Sequence, residues 1–312
     1  MGADALESRA IFDAFAEAGG NFIDTAHVYS YKGATGEGLV GEFIRADRDH
    51  FVISTKYGVS TGTDLSNSGN SRKNMMRCVE ESLRRLKSDY IDIYWLHAWE
   101  ESTPLDEILR GFDDLLSSGK VHYIAASDTP AWQISRAVML SELRGWSRFC
   151  GIEVEYNLLE RTAERELLPM ARELELAVCA WAPLAGGRLS GKYAGGSSNV
   201  GRLGDKPISN QETTITRLVL EIAAELGCRP SQVALSAIRQ MARRNAVIPI
   251  LGARTAGQIR ENLGSLNIVL EAEQLHRLDE ASAIDLGFPH TLLTKVRALS
   301  YSGKADFLDG LP

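Results

Sequence analysis

Cysteine is scarce in this chain: Cys78, Cys150, Cys179 and Cys228 are the only 4 in 312 residues. They lie far apart, form no C-x-x-C pair and have no histidine at metal-ligand spacing beside them, so neither a zinc module nor a disulfide framework is expected. Reduced, mostly core-filling thiols fit a cytoplasmic compartment. Long hydrophobic runs are missing too. No stretch approaches the roughly 18 apolar residues of a membrane span, and the opening MGADALESRAIF has no basic segment followed by an apolar one. Secretion and anchoring are not expected. Positive charge is in deficit, with 34 Lys and Arg against 41 Asp and Glu, a net charge of -7. No summed positive field draws the chain to nucleic acid or an anionic membrane, which leaves a small molecule as the expected partner, with a homo-oligomer open. Repeats, low-complexity tracts and dividing linkers are absent, so residues 1–312 are read as a single domain with no metal site.

The chain does contain a regular alternation. Asp4 and Glu7 have capping-box spacing, Ile11, Ala14, Phe15 and Ala18 recur at helical period, and Gly19-Gly20 stops the run, which predicts an opening helix. Seven short apolar or β-branched runs read as strands: NFIDTA (21–26), FVISTKYG (51–58), YIDIYWLHA (90–98), VHYIAAS (121–127), GIEVEYN (151–157), LAVCAWAP (176–183) and AVIPILG (246–252). Helices are predicted near 38–47, through Met75 to Leu86, from Thr103-Pro104 to Gly119, from Pro130, after Thr162, near 213–227, and from Thr255 and Glu271. Strands separated by helices mean a parallel sheet with helices outside it. Barrel and open doubly wound sheet both satisfy the pattern. The 184–212 stretch, rich in Gly, Ser and Asn, is the one long loop, and such loops are usually functional.

Three successive predicted strands end in ionisable side chains: Asp24, Lys56 and His97. Singly, each has a plain structural reading, as a loop cap, a snorkelling strand end and a hydrogen-bonded core histidine. Their recurrence at one rim, with Tyr29 shortly after Asp24, marks a site. The four types suit carbonyl reduction, in which hydride reaches carbon while a proton reaches oxygen. Tyr29 can supply the proton if a nearby cation favours the phenolate it leaves, and Lys56 is that cation. Asp24 would hold the ammonium, and His97 would donate to the carbonyl oxygen as charge builds there. No side chain gives a hydride, so a nicotinamide cofactor is implied. Asp92 has the opposite strand parity to His97 and reads as structural. GEGLVG (36–41) matches G-x-G-x-x-G, but no strand immediately precedes it and Glu37 would face a pyrophosphate, so a Rossmann fingerprint is rejected. His27 and Tyr31 share that loop and could line a substrate pocket, with exposure the simpler expectation.

At these residues the chain resembles the aldo-keto reductase family, especially bacterial members that look like potassium-channel β subunits. The resemblance runs through GGNFIDTAHVY, STKYG, YWLHAW, SGKVHYIAASDTPAWQ, VEYNLLERTAERELLPMAREL, APLAGGRLSGKY and GARTAGQIREN. Matching so many segments in order is a specific signal. It implies a (β/α)8 TIM-type barrel, carries the catalytic roles onto Asp24, Tyr29, Lys56 and His97, and implies an NADP(H) site. Ser127 and Asp128, with Glu153 beside them, would meet the nicotinamide amide, and Trp181 would stack on the ring. Ala182, Pro183, Leu184, Ala185, Gly186 and Lys192 would line the pyrophosphate, with Arg202 a weaker candidate. Gly252, Arg254, Gln258, Glu261 and Asn262 would hold the adenosine end at a helix N-terminus, with Arg254 on a 2′-phosphate.

Two departures stand out. Family members more often carry Asn and Gln where Asp128 and Glu153 stand. Their chains also begin with a floor hairpin and a first strand, whereas Met1 here falls where the following helix is due, so seven strands and two free sheet edges are expected. A late start and a reduced form remain alternatives. The second functional hypothesis is a non-catalytic NADPH-binding sensor or regulatory subunit.

Overall fold

The computed structural model describes residues 2–31, 33–60, 62–192, 209–242 and 245–300. In chain order it runs α1 (Ala5–Glu17), β1 (Phe22–Asp24), β2 (Ser30–Tyr31), β3 (Ala34–Thr35), α2 (Gly36–Ile44), β4 (Val52–Tyr57), α3 (Arg72–Leu86), β5 (Ile91–Leu96), α4 (Leu105–Ser117), β6 (Val121–Ser127) and α5 (Ala131–Arg144). It continues with β7 (Gly151–Glu155), α6 (Leu167–Glu173), β8 (Ala177–Trp181), α7 (Asn210–Leu226), α8 (Pro230–Met241), β9 (Val247–Pro249), α9 (Ala256–Leu263), α10 (Ala272–Ser282) and α11 (His290–Ser300). Seven strands form one parallel sheet in the order β1-β4-β5-β6-β7-β8-β9, while β2 and β3 make a small antiparallel hairpin above it. The architecture is a curled, open barrel of seven parallel strands with helices outside. Among the described residues β1 pairs only with β4, and β9 only with β8. The helix layer nevertheless meets across that opening, because α1 packs on α9 and the Ala256 amide donates to Glu7 Oε1 at 2.7 Å.

The strands alternate between two unequal cores. Outward residues pack under the helices, where Tyr57 stacks on Tyr94 with ring centroids 5.4 Å apart and Phe112 closes edge-on at 5.7 Å from Tyr57. Ile53, Leu96, Ile124, Ile152 and Val178 continue this layer with Met75, Val79, Ile108 and Ile134. The inner face holds a smaller cluster, Trp95, Ala125 and Cys179, with Phe22, Ile93 and Ile250 against it. Toward the N-terminal ends of the strands the inner face opens, leaving Tyr123 61% and Ile248 41% exposed. The four cysteines are free thiols, with Cys78 and Cys179 buried. Among the described residues no helix is long and apolar enough to cross a membrane.

Local signals explain most boundaries. Asp4 caps α1 by accepting from the Glu7 amide at 2.9 Å. Glu7, though, sends its own carboxylate to Ala256 rather than back to Asp4, so a tertiary contact replaces half of the expected box. Asp4→Ala should therefore lower stability by about 1 kcal/mol, the usual value for an N-cap, read as a shift in denaturation midpoint. Asp92 is structural as expected, accepting from Arg48 Nη2 at 2.6 Å and the Ile53 amide at 2.9 Å. Glu37 is fully buried in the first turn of α2, bonded to Thr55 Oγ1 at 2.7 Å and Arg85 at 3.1 Å, which removes GEGLVG from any phosphate role.

Two expectations need correcting. His27 is buried, not exposed, with Nε2 2.8 Å from Glu81 Oε2, and Tyr31 is half-buried. Helices α8 and α11 go beyond the reading of the sequence. Ser231 and Val233 to Ile238 of α8 are buried, whereas none of the described side chains of α11 is.

Candidate active site

Parallel pairing aligns the C-terminal ends of the strands, and that rim collects the ionisable residues. Asp24 ends β1 in register with Ser54 of β4, whose hydroxyl donates to Asp24 Oδ1 at 2.5 Å. Lys56 lies two residues beyond Ser54 and so shares its inward face. It is fully buried. Its ammonium bonds Asp24 Oδ2, donates to the Thr25 carbonyl at 3.1 Å and lies 3.3 Å from Glu153 Oε2. Burial works against that charge, but the carboxylates of Asp24 and Glu153 outweigh it and raise the lysine's pKa. Lys56 therefore stays protonated at neutral pH.

Tyr29 stands in the loop after β1, fixed by its amide to the Ala26 carbonyl at 3.0 Å and by its own carbonyl to the Gly36 amide at 2.8 Å. The residue is 45% exposed, and Lys56 Nζ lies 5.6 Å from its ring centroid. His97 follows β5 and meets Tyr29 edge-on, ring centroids 5.9 Å apart. Burial, then the charge of Lys56, push its pKa down to about 4. His97 is thus a neutral imidazole near pH 7, able to donate one ring N–H, and its Nδ1 is buried without a hydrogen-bond partner. The Tyr29 phenol departs from expectation. Burial raises its pKa, Lys56 lowers it, and Asp24, Glu153 and Asp128 raise it again, so the net shift is upward. The sequence points to the lysine but not to the ring of carboxylates around it.

The neighbouring strand ends complete the rim. Ser127 ends β6, buried and in register with Glu153 of β7. Asp128 follows at φ 41°, donating its amide to the Glu153 carbonyl at 3.1 Å and accepting from Trp181 Nε1 at 3.0 Å. Beyond β8, Ala182 and Ala185 both adopt φ 49°, ahead of Gly186 and Gly187 at 65° and 96°. Non-glycine residues in the left-handed region cost about 1 to 3 kcal/mol each and persist where surrounding structure enforces them, often at functional sites. Tyr29, His97, Ser127, Asp128, Glu153, Trp181, Ala182, Ala185 and Gly186 line one cavity of about 740 Å³. Asp24 and Lys56 lie beneath it, Pro183 is buried and Leu184 packs on the core.

The remaining candidates lie elsewhere. Lys192 reaches back over the Gly187 turn, where a β-carbon would sit 2.5 Å from its Nζ. Gly252 and Arg254 are exposed ahead of α9, Gln258 Oε1 accepts from the Arg254 amide at 2.8 Å, Glu261 Oε1 accepts from Ser231 at 3.1 Å, and Asn262 is buried. Helix α8 packs against both the 185–190 turn and α9, bridging the two sets. Arg202 falls outside the described residues. The sequence reading missed Ser54 and the cavity-lining Glu155, Asn157, Leu159, Glu160, Arg188 and Glu212. Strand parity would have found Glu155, two residues past Glu153 on the same face of β7.

Comparison with known proteins agrees in kind. The chain is 32% identical over 302 residues to an aryl-alcohol dehydrogenase [NADP(+)] of Phanerodontia chrysosporium, covering 90% of this chain and 77% of the relative. It is 32% identical over 295 residues to a norsolorinic acid reductase of Emericella nidulans, covering 91% and 74%. An aldo-keto reductase of Aspergillus calidoustus is 31% identical over 304 residues, covering 93% and 76%. The model of the aldo/keto reductase family matches residues 3–283, nearly the whole described barrel, and the chain belongs to that family.

Proposed function

We propose that this chain is an NADP-dependent oxidoreductase that reduces aldehydes or ketones to alcohols, with Tyr29 as proton donor. The observation that supports this most is the buried Asp24–Lys56 ion pair beneath Tyr29, with a neutral His97 facing the same cavity. A relative named as an NADP(+) aryl-alcohol dehydrogenase makes aromatic aldehydes the first class to try.

The residues present fit the cofactor. His97 Nδ1 and Glu153 Oε2 are buried polar atoms without hydrogen-bond partners, the 182–187 turn is held in left-handed backbone, and Lys192 crosses it. Asp128 holds the Trp181 indole where it can cover a flat ring, and the turn with Lys192 can take a diphosphate. Arg254 and the start of α9 can take the adenosine 2′-phosphate, although the Ala256 amide is already occupied by Glu7. When bound, a reduced nicotinamide would supply the hydride. In that geometry His97 donates to the carbonyl oxygen, and Tyr29 passes its phenolic proton to that oxygen while Lys56 stabilises the phenolate.

The test is oxidation of NADPH over a panel of aromatic and aliphatic aldehydes and ketones. Turnover is expected on some members. Tight NADPH binding with no turnover on any would instead favour a sensing subunit. A finer test concerns Arg254: Arg254→Ala should weaken NADPH by about 1.5 to 3 kcal/mol, roughly 10- to 150-fold in Kd, and hardly alter NADH. Equal weakening of both cofactors would make Arg254 a support for the loop.

A further inference from the structure

Lys56 does not have one counter-ion but two. Asp24 holds it from β1, and Glu153 reaches it from β7 on the far side of the inner face, 3.3 Å away, with its side chain only 5% exposed. That approach is not aligned as a hydrogen bond, so Glu153 Oε2 has an ion-pair neighbour but no hydrogen-bond partner. The geometry points to Glu153 as a positioning residue for the reaction centre, whose protonation state sets how much of the Lys56 charge is felt by Tyr29. The inference rests on the proposed role of Tyr29 as proton donor.

The groups facing Glu153 can be named from every side. Asp24 and Lys56 face it across the inner surface, Asp128 from the end of β6 and Cys179 from β8. Tyr29 faces it from the loop above, and Glu155 follows on its own strand. Burial first, and then the Asp24 charge, push the Glu153 carboxyl up to about 8, against the opposing pull of Lys56. Below that pH Glu153 is neutral, and the ammonium is shared only with Asp24. Above it, two carboxylates flank one ammonium, and the cluster beneath Tyr29 carries a net negative charge. A phenol that must become a phenolate on giving up its proton is then a weaker acid. Reduction should accordingly slow as pH rises through about 8, before Tyr29 itself ionises. Sign and order follow from one carboxyl being placed where an uncharged group would leave Lys56 with a single partner.

Glu153→Gln keeps the shape and removes the titration. Two readings decide the matter. In the first, the pH dependence of kcat for aldehyde reduction is compared in wild type, E153Q and E153D. The alkaline limb near 8 is expected in wild type and E153D, and should move up by about one pH unit or more in E153Q, since removing a nearby charge shifts a pKa by about 1 to 3 units. The second needs no turnover. The ultraviolet tyrosinate titration of Tyr29, taken as the difference between each protein and its Tyr29→Phe counterpart, should move to lower pH in E153Q by about 1 to 3 units. A tyrosinate titration equal in wild type and E153Q overturns the inference, as does a uniform loss of kcat with the limb unmoved. If no protein turns over but the tyrosinate shift appears, the reductase reading fails and the coupling of Glu153 to Tyr29 stands.

Discussion

Tyr29→Phe should bind NADPH as wild type does and lose turnover by on the order of 10²-fold or more. The substitution removes only the hydroxyl. The ring can keep its edge contact with His97 and its place over Lys56, so the cavity walls should be unchanged. What disappears is the phenol proposed to release a proton to the nascent alkoxide within reach of the lysine's charge. Neutral His97, with its pKa near 4, carries no second proton to give and should not substitute. The measurement is kcat on the best aldehyde of the panel beside NADPH affinity by fluorescence. Reduction near the wild-type rate would remove Tyr29 from the reaction.

Lys56→Met should cost as much in turnover, on the order of 10²-fold or more, and should also destabilise the fold. Lys56 is fully buried between Asp24 and Glu153, and losing one partner of a buried ion pair commonly costs about 3 to 5 kcal/mol. The pH dependence of that cost has a definite sign. Glu153 already titrates near 8 with the lysine beside it, and removing the lysine can only raise it further. Carboxyls whose folded pKa lies above the unfolded value of about 4 contribute stability that is complete below about pH 4 and lost as pH climbs through the folded value. The gap in thermal midpoint between wild type and K56M should therefore widen as pH rises above about 8, where Glu153 has finished titrating in wild type but not in K56M. A constant gap, together with near-normal turnover, would leave Lys56 with neither role.

The rim was legible because strand periodicity is two and parallel strands end in register. Asp24, Lys56 and His97 each close an apolar run, and one run after another placing charge at its end is a pattern the residues show before any coordinates do. Seven strands follow from the same alternation with helices, whereas their order follows only from the barrel that the family resemblance implies. The electrostatics were not legible. Glu153 comes from β7, three strand pairings away from β4 in the sheet, and only the curl of the sheet carries it to Lys56. The upward shift of Tyr29 follows from that convergence, and no local window contains it. His27 was misplaced for a related reason: its partner Glu81 stands 54 residues on, on α3.

The order of the sheet also bears on how the chain is made. Each strand of the sheet pairs with the next one to leave the ribosome, so β4 can dock on β1, β5 on β4, and so on to β9, with no strand waiting for a later one to be threaded between earlier ones. Translation can thus extend the sheet by one pairing at a time, each step hiding the edge exposed by the last. The exception is the seam between α1 and α9, where Glu7 and Ala256 stand 249 residues apart. Until α9 is made α1 has no partner there, and it exposes a face that α9 later covers. A nascent chain stalled before α9 would carry that uncovered face of α1 together with the side of β1 that β4 does not pair.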